Sequence, residues 1–324
     1  MVNIDDCWMT HDRDEKGRLY PDPERFPHGM KWLADYAHSK GVKLGIYNDY
    51  GTHTCGGYTG SEGYLLEDAR TFAEWEVDYL KMDGCYSQLL DQHDGYPAMA
   101  RFLNETGRKI VYSCSWPAYD QEMDYSLLPP NCNLWRNWYD IQSHWHSIKN
   151  IIEKFGNETR WADYAGPGHW NDADMIVVGL RGGDLTIDES KSHFALWSIL
   201  ASPLIMSNDL REFPDWAREI VQNKEIIAVD QDVMGKQGIR YTPYEENRQI
   251  WARPLANGDW AVALHNHGDE VVDIPFDFKV IGETARYSIR DLYALEDLGV
   301  FENTFVAEKV PVHGVQMLRI TPVA

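Results

Sequence analysis

Acidic side chains recur at the ends of short apolar runs in this sequence, and their companions indicate the chemistry they suit. Asp5-Asp6, Tyr47-Asn48-Asp49, Lys81-Met82-Asp83, Ser115-Trp116, Arg136 with Asp140, and Asn171-Asp172 with Asp174 each close such a run. Carboxylates joined by one Lys, one Arg and aromatic rings, without a sustained His cluster, suit acid/base and nucleophilic work on a glycosidic bond better than metal-assisted hydrolysis. A lone Asp after a strand is more often a turn former or helix cap. Repetition at successive strand ends favours the chemical reading, and no metal or cofactor is expected.

The elements that must carry these residues follow from periodicity. Strands are predicted at Met1–Asp5, Lys43–Asn48, Val77–Asp83, Lys109–Ser115, Cys132–Trp138, Ala162–Gly166 and Pro203–Ser207. Between them, 3.6-residue patterns predict helices near 24–40, 64–75, 96–106, 143–155 and 187–200. Gly41, Gly107 and Gly156 serve as stops, and Thr186 with Glu189 forms a capping-box signature. Strand-to-strand offsets of roughly 25 to 40 residues imply βαβ units and a parallel sheet. The expected α/β fold is a (β/α)8 (TIM) barrel lacking its first β/α unit, because the sequence opens inside a strand. A doubly wound sheet is the alternative, but no G-x-G-x-x-G follows the first strand.

After about residue 240 the texture changes. Gln249–Leu255, Trp260–His265, Val271–Phe278, Ala285–Leu292, Phe305–Val310 and Val315–Pro322 read as strands with turn residues between. Residues 1–240 are therefore expected to form the barrel and 241–324 an antiparallel β-sandwich.

Composition narrows the partners. With 30 basic against 51 acidic residues the net charge is −21, a field that repels phosphate backbones and argues against nucleic acid. No apolar run is long enough for a membrane span, so no membrane insertion is expected. Cys7, Cys55, Cys85, Cys114 and Cys132 include no C-x-x-C pair, which disfavours a zinc ribbon. Sequons at Asn104 and Asn157 with dispersed cysteines favour an oxidising secretory compartment. The odd cysteine count, the missing signal peptide and the opening inside a strand lead to the expectation of a truncated chain.

Five strings, Ile4-Asp5-Asp6-Cys7-Trp8, Lys81-Met82-Asp83-Gly84-Cys85-Tyr86, Tyr112-Ser113-Cys114-Ser115-Trp116-Pro117, Trp135-Arg136-Asn137 and Ala165-Gly166-Pro167-Gly168-His169-Trp170-Asn171-Asp172, occur in order. Together they resemble the α-galactosidase/α-N-acetylgalactosaminidase family, glycoside hydrolase family 27, nearest its α-N-acetylgalactosaminidases. The resemblance implies a retaining mechanism, with Asp83 at the nucleophile position and Asp140 at the acid/base position. It also implies that Asp5, Asp6, Tyr47, Lys81, Arg136 and Asp174 grip sugar hydroxyls, with further contacts from Tyr119 and Met175. Disulfides Cys55–Cys85 and Cys114–Cys132 are implied in the same way.

Specificity is assigned to Ser115 and Ala118, where galactose-selective members carry Glu and Leu; the smaller pair leaves room for a 2-acetamido group. The family's Asn-Asp-Pro-Asp reads Asn171-Asp172-Ala173-Asp174 here. The implied activity is removal of terminal α-linked N-acetylgalactosamine from glycoproteins and glycolipids by a homodimer, lysosomal or secreted. An α-galactosidase or dual-specificity enzyme, and an inactive sugar-binding product of truncation, are the competing readings.

Overall fold

Buried apolar runs become parallel strands, and the helices between them cover the sheet with one apolar stripe each. The computed structural model describes residues 1–243, 246–282 and 286–323. They fall into two compact units, Met1–Asn137 and Trp138–Ala324. In the first, β1 (Val2–Asn3), α1 (Gly29–Ser39), β2 (Leu44–Asp49), α2 (Leu65–Glu74), β3 (Tyr79–Asp83), α3 (Leu89–Glu105), β4 (Val111–Cys114), α4 (Trp116–Tyr119) and β5 (Leu134–Arg136) follow in order. Each strand pairs in parallel with the next, β1 through β5. The sequential, parallel, helix-connected arrangement is that of a (β/α) barrel wall.

All of β2 is buried, which explains why it reads as a continuous hydrophobic-rich run rather than an alternating one. Helix α3 begins earlier than the expected residue 96 and carries Pro97 inside it. Pro97 has no N–H to offer the preceding turn. Burial of Gln92, Tyr96, Met99 and Leu103 on one face keeps the helix continuous. Gly95 lets it approach the Tyr50 ring, where a Cβ would lie 2.0 Å from ring carbon.

The second unit holds α5 (Trp145–Asn157), β6 (Trp170–Asp172), α6 (Ile187–Ile199), α7 (Asp215–Val221), α8 (Lys224–Asp230) and then, among the described residues, strands with one 3-10 turn at Phe278–Val280. The capping box that opens α6 is present in full, with Thr186 and Glu189 bonding reciprocally.

Two expected strands are corrected. The segment 162–166 begins inside a 3-10 helix, Thr159–Asp163, whose Trp161 packs edge-on against Phe155 at 5.0 Å; the strand lies later, at β6. At 203–207 there is only a single parallel bridge, Ile176 with Met206. Pro203 has no N–H, and its carbonyl accepts from Ile205 instead, so the backbone turns locally.

The last strands are β7 (Ile239–Arg240), β8 (Arg248–Pro254), β9 (Trp260–Asn266), β10 (Val272–Asp277), β11 (Arg286–Asp291), β12 (Glu296–Glu302), β13 (Thr304–Val310) and β14 (Val315–Pro322). One sheet runs β12-β11-β14-β9-β8-β7, and β10 pairs with β13 in a second. Inward residues such as Val262, Leu264, Phe276, Ile289, Phe305 and Leu318 form their common core, as an antiparallel sandwich requires. Ala285, where a strand was expected to begin, lies outside the described residues. Strand β12 was not expected: Glu296-Asp297-Leu298-Gly299-Val300-Phe301-Glu302 lacks a clean alternation, and as an edge strand it pairs, among the described residues, only with β11.

Candidate active site

Residues two apart on a strand share a face. Tyr47 and Asp49 on β2 stand in register with Lys81 and Asp83 on β3, so the four side chains project together from the C-terminal ends of neighbouring strands. Asp83 is firmly held there. Its Oδ1 accepts from the Gly84 N–H at 2.9 Å and the Tyr119 hydroxyl at 2.8 Å, and its Oδ2 lies 3.1 Å from the Tyr47 hydroxyl. Burial, followed by the charge of Asp83, pushes both phenols well above the ordinary tyrosine range, so each stays protonated and able to donate.

Asp49 is fully buried. Its Oδ1 accepts from Cys85 N–H at 2.7 Å, and its Oδ2 accepts from Cys55 N–H at 3.0 Å and from the Tyr47 hydroxyl at 2.7 Å. Burial and the neighbouring Asp83 charge push its carboxyl up to about 7. Asp49 closed one of the strand ends singled out in the sequence but was not among the expected site residues. The available signal was its place two residues after Tyr47, on the same strand face.

At the end of β1, Asp5 is exposed and accepts from Lys81 Nζ at 3.1 Å. Lys81 also lies over the Tyr47 ring, 5.0 Å from its centre. Asp6 Oδ2 accepts from the Gly56 N–H at 2.6 Å. Gly56 is required by this approach, since a Cβ would lie 2.6 Å from Cys7 Sγ. Cys7 is a free, half-buried thiol, and burial, then Asp6, raises its pKa.

The Cys55–Cys85 and Cys114–Cys132 disulfides are both formed. The first fixes the loop after the nucleophile candidate. The second brackets the segment from Ser115 to Tyr119. Ser115 is buried and precedes the short α4, yet its side chain makes no cap to that helix. Trp116 is buried in a parallel stack with Tyr96, 5.6 Å between centres, and Ala118 is half-buried. Arg136 ends β5 and is buried. The first unit thus links Asp5, Lys81, Tyr47, Asp83 and Tyr119 through direct contacts, ties Asp6 to Gly56 beside them, and anchors Ser115 and Ala118 on a braced segment.

Asp140, Asp174 and Met175 belong to the second unit. Asp140 is exposed. The next residue, Ile141, donates its N–H to Asp174 Oδ2 at 2.8 Å. Asp174 is buried with φ 80°, a left-handed conformation Asp tolerates better than most residues. Its N–H bonds to Asp172 Oδ1 at 2.8 Å, and its carbonyl accepts from Trp197 Nε1 at 2.7 Å. Half-buried Met175 donates its N–H to Asp174 Oδ1 at 2.8 Å. Asp172, which shapes this turn, was also absent from the expected set. Both sequon asparagines are exposed, Asn104 on α3 and Asn157 at the end of α5, where its Oδ1 accepts from Arg240 at 2.7 Å.

Parallel strands with acids at their ends, followed by a β-sandwich, define a barrel enzyme with an appended all-β domain. The family model for alpha galactosidase A matches residues 1–232, and that for the alpha galactosidase C-terminal beta sandwich domain matches 245–320. The chain is 47% identical over 305 residues to the α-N-acetylgalactosaminidase of Gallus gallus, covering 90% of this chain and 74% of the relative. It is 50% identical over 268 residues to α-galactosidase A of Homo sapiens, covering 81% of this chain and 62% of that one. The crystal structure of α-galactosidase I from Mortierella vinacea superposes with a TM-score of 0.91 at 34% identity, over 100% of this chain and 87% of its own. The chain belongs to glycoside hydrolase family 27, the α-galactosidase/α-N-acetylgalactosaminidase family.

Proposed function

We propose that this protein is a retaining exo-glycosidase that removes terminal α-linked N-acetylgalactosamine, and more slowly α-galactose, from glycoconjugates. The observation that carries the reading is the immobilised Asp83 carboxylate, held by Gly84, Tyr47 and Tyr119 at the end of β3. A nucleophile must be fixed on its line of attack, and an acid caught between two phenols is so fixed. Asp83 attacks the anomeric carbon while Asp140 protonates the departing oxygen, giving a glycosyl-enzyme ester. Asp140 then takes a proton from water, which displaces Asp83. Asp5, Asp6, Tyr47, Lys81, Arg136, Asp174, Tyr119 and Met175 bind the sugar. No cofactor enters the scheme.

Ser115 and Ala118 support the acetamido preference, because small side chains on a braced segment leave space where Glu and Leu would fill it. Relatives of both activities match the chain at similar identity, so this preference is the part most open to measurement. Residues 1–240 would form the catalytic domain and 241–324 the sandwich. A homodimer in the lysosome or outside the cell is part of the same proposal; among the described residues no helix is long and apolar enough to cross a membrane.

The test is covalent trapping. A fluorinated α-galactosyl fluoride that esterifies the nucleophile and turns over slowly is expected to label Asp83 on peptide mapping. Aryl α-N-acetylgalactosaminide is expected to be cleaved with a higher kcat/KM than aryl α-galactoside. A label on another residue, or inversion at the anomeric centre, would sink the mechanism; a strong galactoside preference would sink the specificity.

A further inference from the structure

Asp49 has no part in the scheme above, yet it occupies its centre. It ends β2 directly opposite Asp83 in the sheet register. Among the described residues no Lys or Arg pairs with it; its hydrogen bonds come from the Cys55 and Cys85 N–H groups and the Tyr47 hydroxyl. A buried carboxylate without a cation, beside a second carboxylate, is a costly way to satisfy two amides that a neutral side chain could serve. The loops it ties are packed at backbone contact: a Cβ on Gly51 would lie 2.0 Å from the Cys85 carbonyl oxygen. Tyr86, the next residue, is held at φ 52°.

We propose that Asp49 is a positioning residue for the nucleophile: acting through Tyr47 and the backbone of Cys55 and Cys85, it fixes the orientation of the Asp83 carboxylate. The inference rests on Asp83 being the nucleophile. The Tyr47 hydroxyl reaches both acids, 2.7 Å from Asp49 Oδ2 and 3.1 Å from Asp83 Oδ2, but it has one proton to give. When Asp49 carries a proton it donates to the Tyr47 oxygen, and the Tyr47 proton turns to Asp83. When Asp49 is ionised it competes for that proton. The groups facing it are Asp83 on β3 and three phenols, Tyr47 on β2, Tyr96 on α3 and Tyr119 on α4; the phenols remain protonated, and Lys81 Nζ lies over the Tyr47 ring. Asp49, near 7, is the member of this cluster poised to exchange its proton around neutral pH.

The experiment compares Asp49→Asn, Tyr47→Phe and the double variant by pH-rate profiles on an aryl α-galactoside, with covalent trapping as a parallel readout. Asp49→Asn is expected to lower kcat by ~10–100-fold with little change in KM. It should also remove an inflection of kcat/KM near pH 7, because no acid is left there to compete for the Tyr47 proton. In the Tyr47→Phe background the same change should cost only about twofold, since the link it acts through is gone. Additive losses with the inflection near pH 7 unchanged overturn the proposal and leave Asp49 a structural clamp. If Asp49→Asn fails to fold, Tyr47→Phe alone decides: an unchanged kcat, or a loss carried by KM as sugar binding would give, overturns the proposal, and a ~10-fold loss in kcat with KM unchanged supports it. A trapped label on a residue other than Asp83 overturns the nucleophile assignment and the proposal with it; a label on Asp83 with the inflection near pH 7 unchanged overturns the proposal alone.

Discussion

The two carboxylates of the proposed reaction are housed in opposite ways. Asp83 ends a strand, and both of its oxygens are engaged by donors from its own unit. Asp140 lies beyond β5 in an exposed stretch, steadied at one remove by the Ile141 N–H bond to Asp174. The difference follows from what each group does. A nucleophile forms one bond along one line, so freedom of rotation is wasted on it. An acid/base must lose a proton to the leaving group and recover one from water in every cycle, so contact with solvent serves it. Rigidity at Asp140 is supplied to the backbone instead, by a buried acid in a strained left-handed conformation of the kind that concentrates at functional sites.

Replacing each acid in turn tests that contrast most severely. Asp83→Asn should cost about a thousandfold or more in kcat with every leaving group, since no neighbouring group can form the ester. Its melting temperature should barely move, because Asn can still accept from Gly84 and Tyr119. Asp140→Ala should cost ~10²–10⁴-fold with poor leaving groups, but far less for bond cleavage with nitrophenyl glycosides, which depart without a proton. Pre-steady-state kinetics on the two substrate types separates the cases. Equal losses on both substrates in both variants would erase the division of labour.

A smaller effect is expected from the segment braced by Cys114–Cys132. If Ser115 and Ala118 border the 2-position as proposed, Ser115→Glu with Ala118→Leu should lower kcat/KM for the α-N-acetylgalactosaminide by ~10–200-fold while the galactoside rate is kept or improved. In this segment Trp116 and Tyr119 are tied to their surroundings, whereas Ser115 makes no cap to α4 and Ala118 is a half-buried methyl. Loss of both activities together would show that these two side chains hold the fold after all.

The strand ends were readable from sequence because a buried parallel strand is an unbroken apolar run that stops at a polar residue; Lys81-Met82-Asp83 is such a stop. The capping box at Thr186 was readable for the same local reason. What failed was tertiary. Ala162–Gly166 is apolar enough for a strand, but Trp161 is drawn onto Phe155 and the backbone coils. The polar edge strand β12 carries no pattern of its own and exists through its pairing with β11. Asp49 was visible as a letter and invisible as a role, because its importance lies in the Cys55 and Cys85 amides that converge on it from distant sequence. The disulfide pairing came from family resemblance and could not have come from spacing.

The smallest expected effect sharpens the contrast between buried acids. Asp230, at the end of α8, is pushed up to about 7 by burial, as Asp49 is. Its Oδ1 has no partner, and Arg253 donates to its backbone carbonyl at 3.2 Å rather than to its carboxylate. A folded-state pKa raised above the ordinary aspartate value near 4 means that the folded protein binds the proton more tightly than the unfolded chain. The stability this contributes is complete below about pH 4 and is lost as pH rises toward 7, at up to ~1.4 kcal/mol per pH unit for each such group. His193 and His265, lowered to about 3 by burial, act in the opposite sense, losing their contribution as pH falls from about 6.5 toward 3. Asp230→Asn should therefore flatten the decline in urea-unfolding free energy between pH 5 and 7.5 and make the variant the more stable protein at the upper end. Asp49→Asn removes the same titration but leaves a single oxygen for two amide donors and a phenol, so it should destabilise at both ends of the range. If the two variants instead shift stability in parallel across that range, the hydrogen bonds of Asp49 contribute nothing beyond its burial.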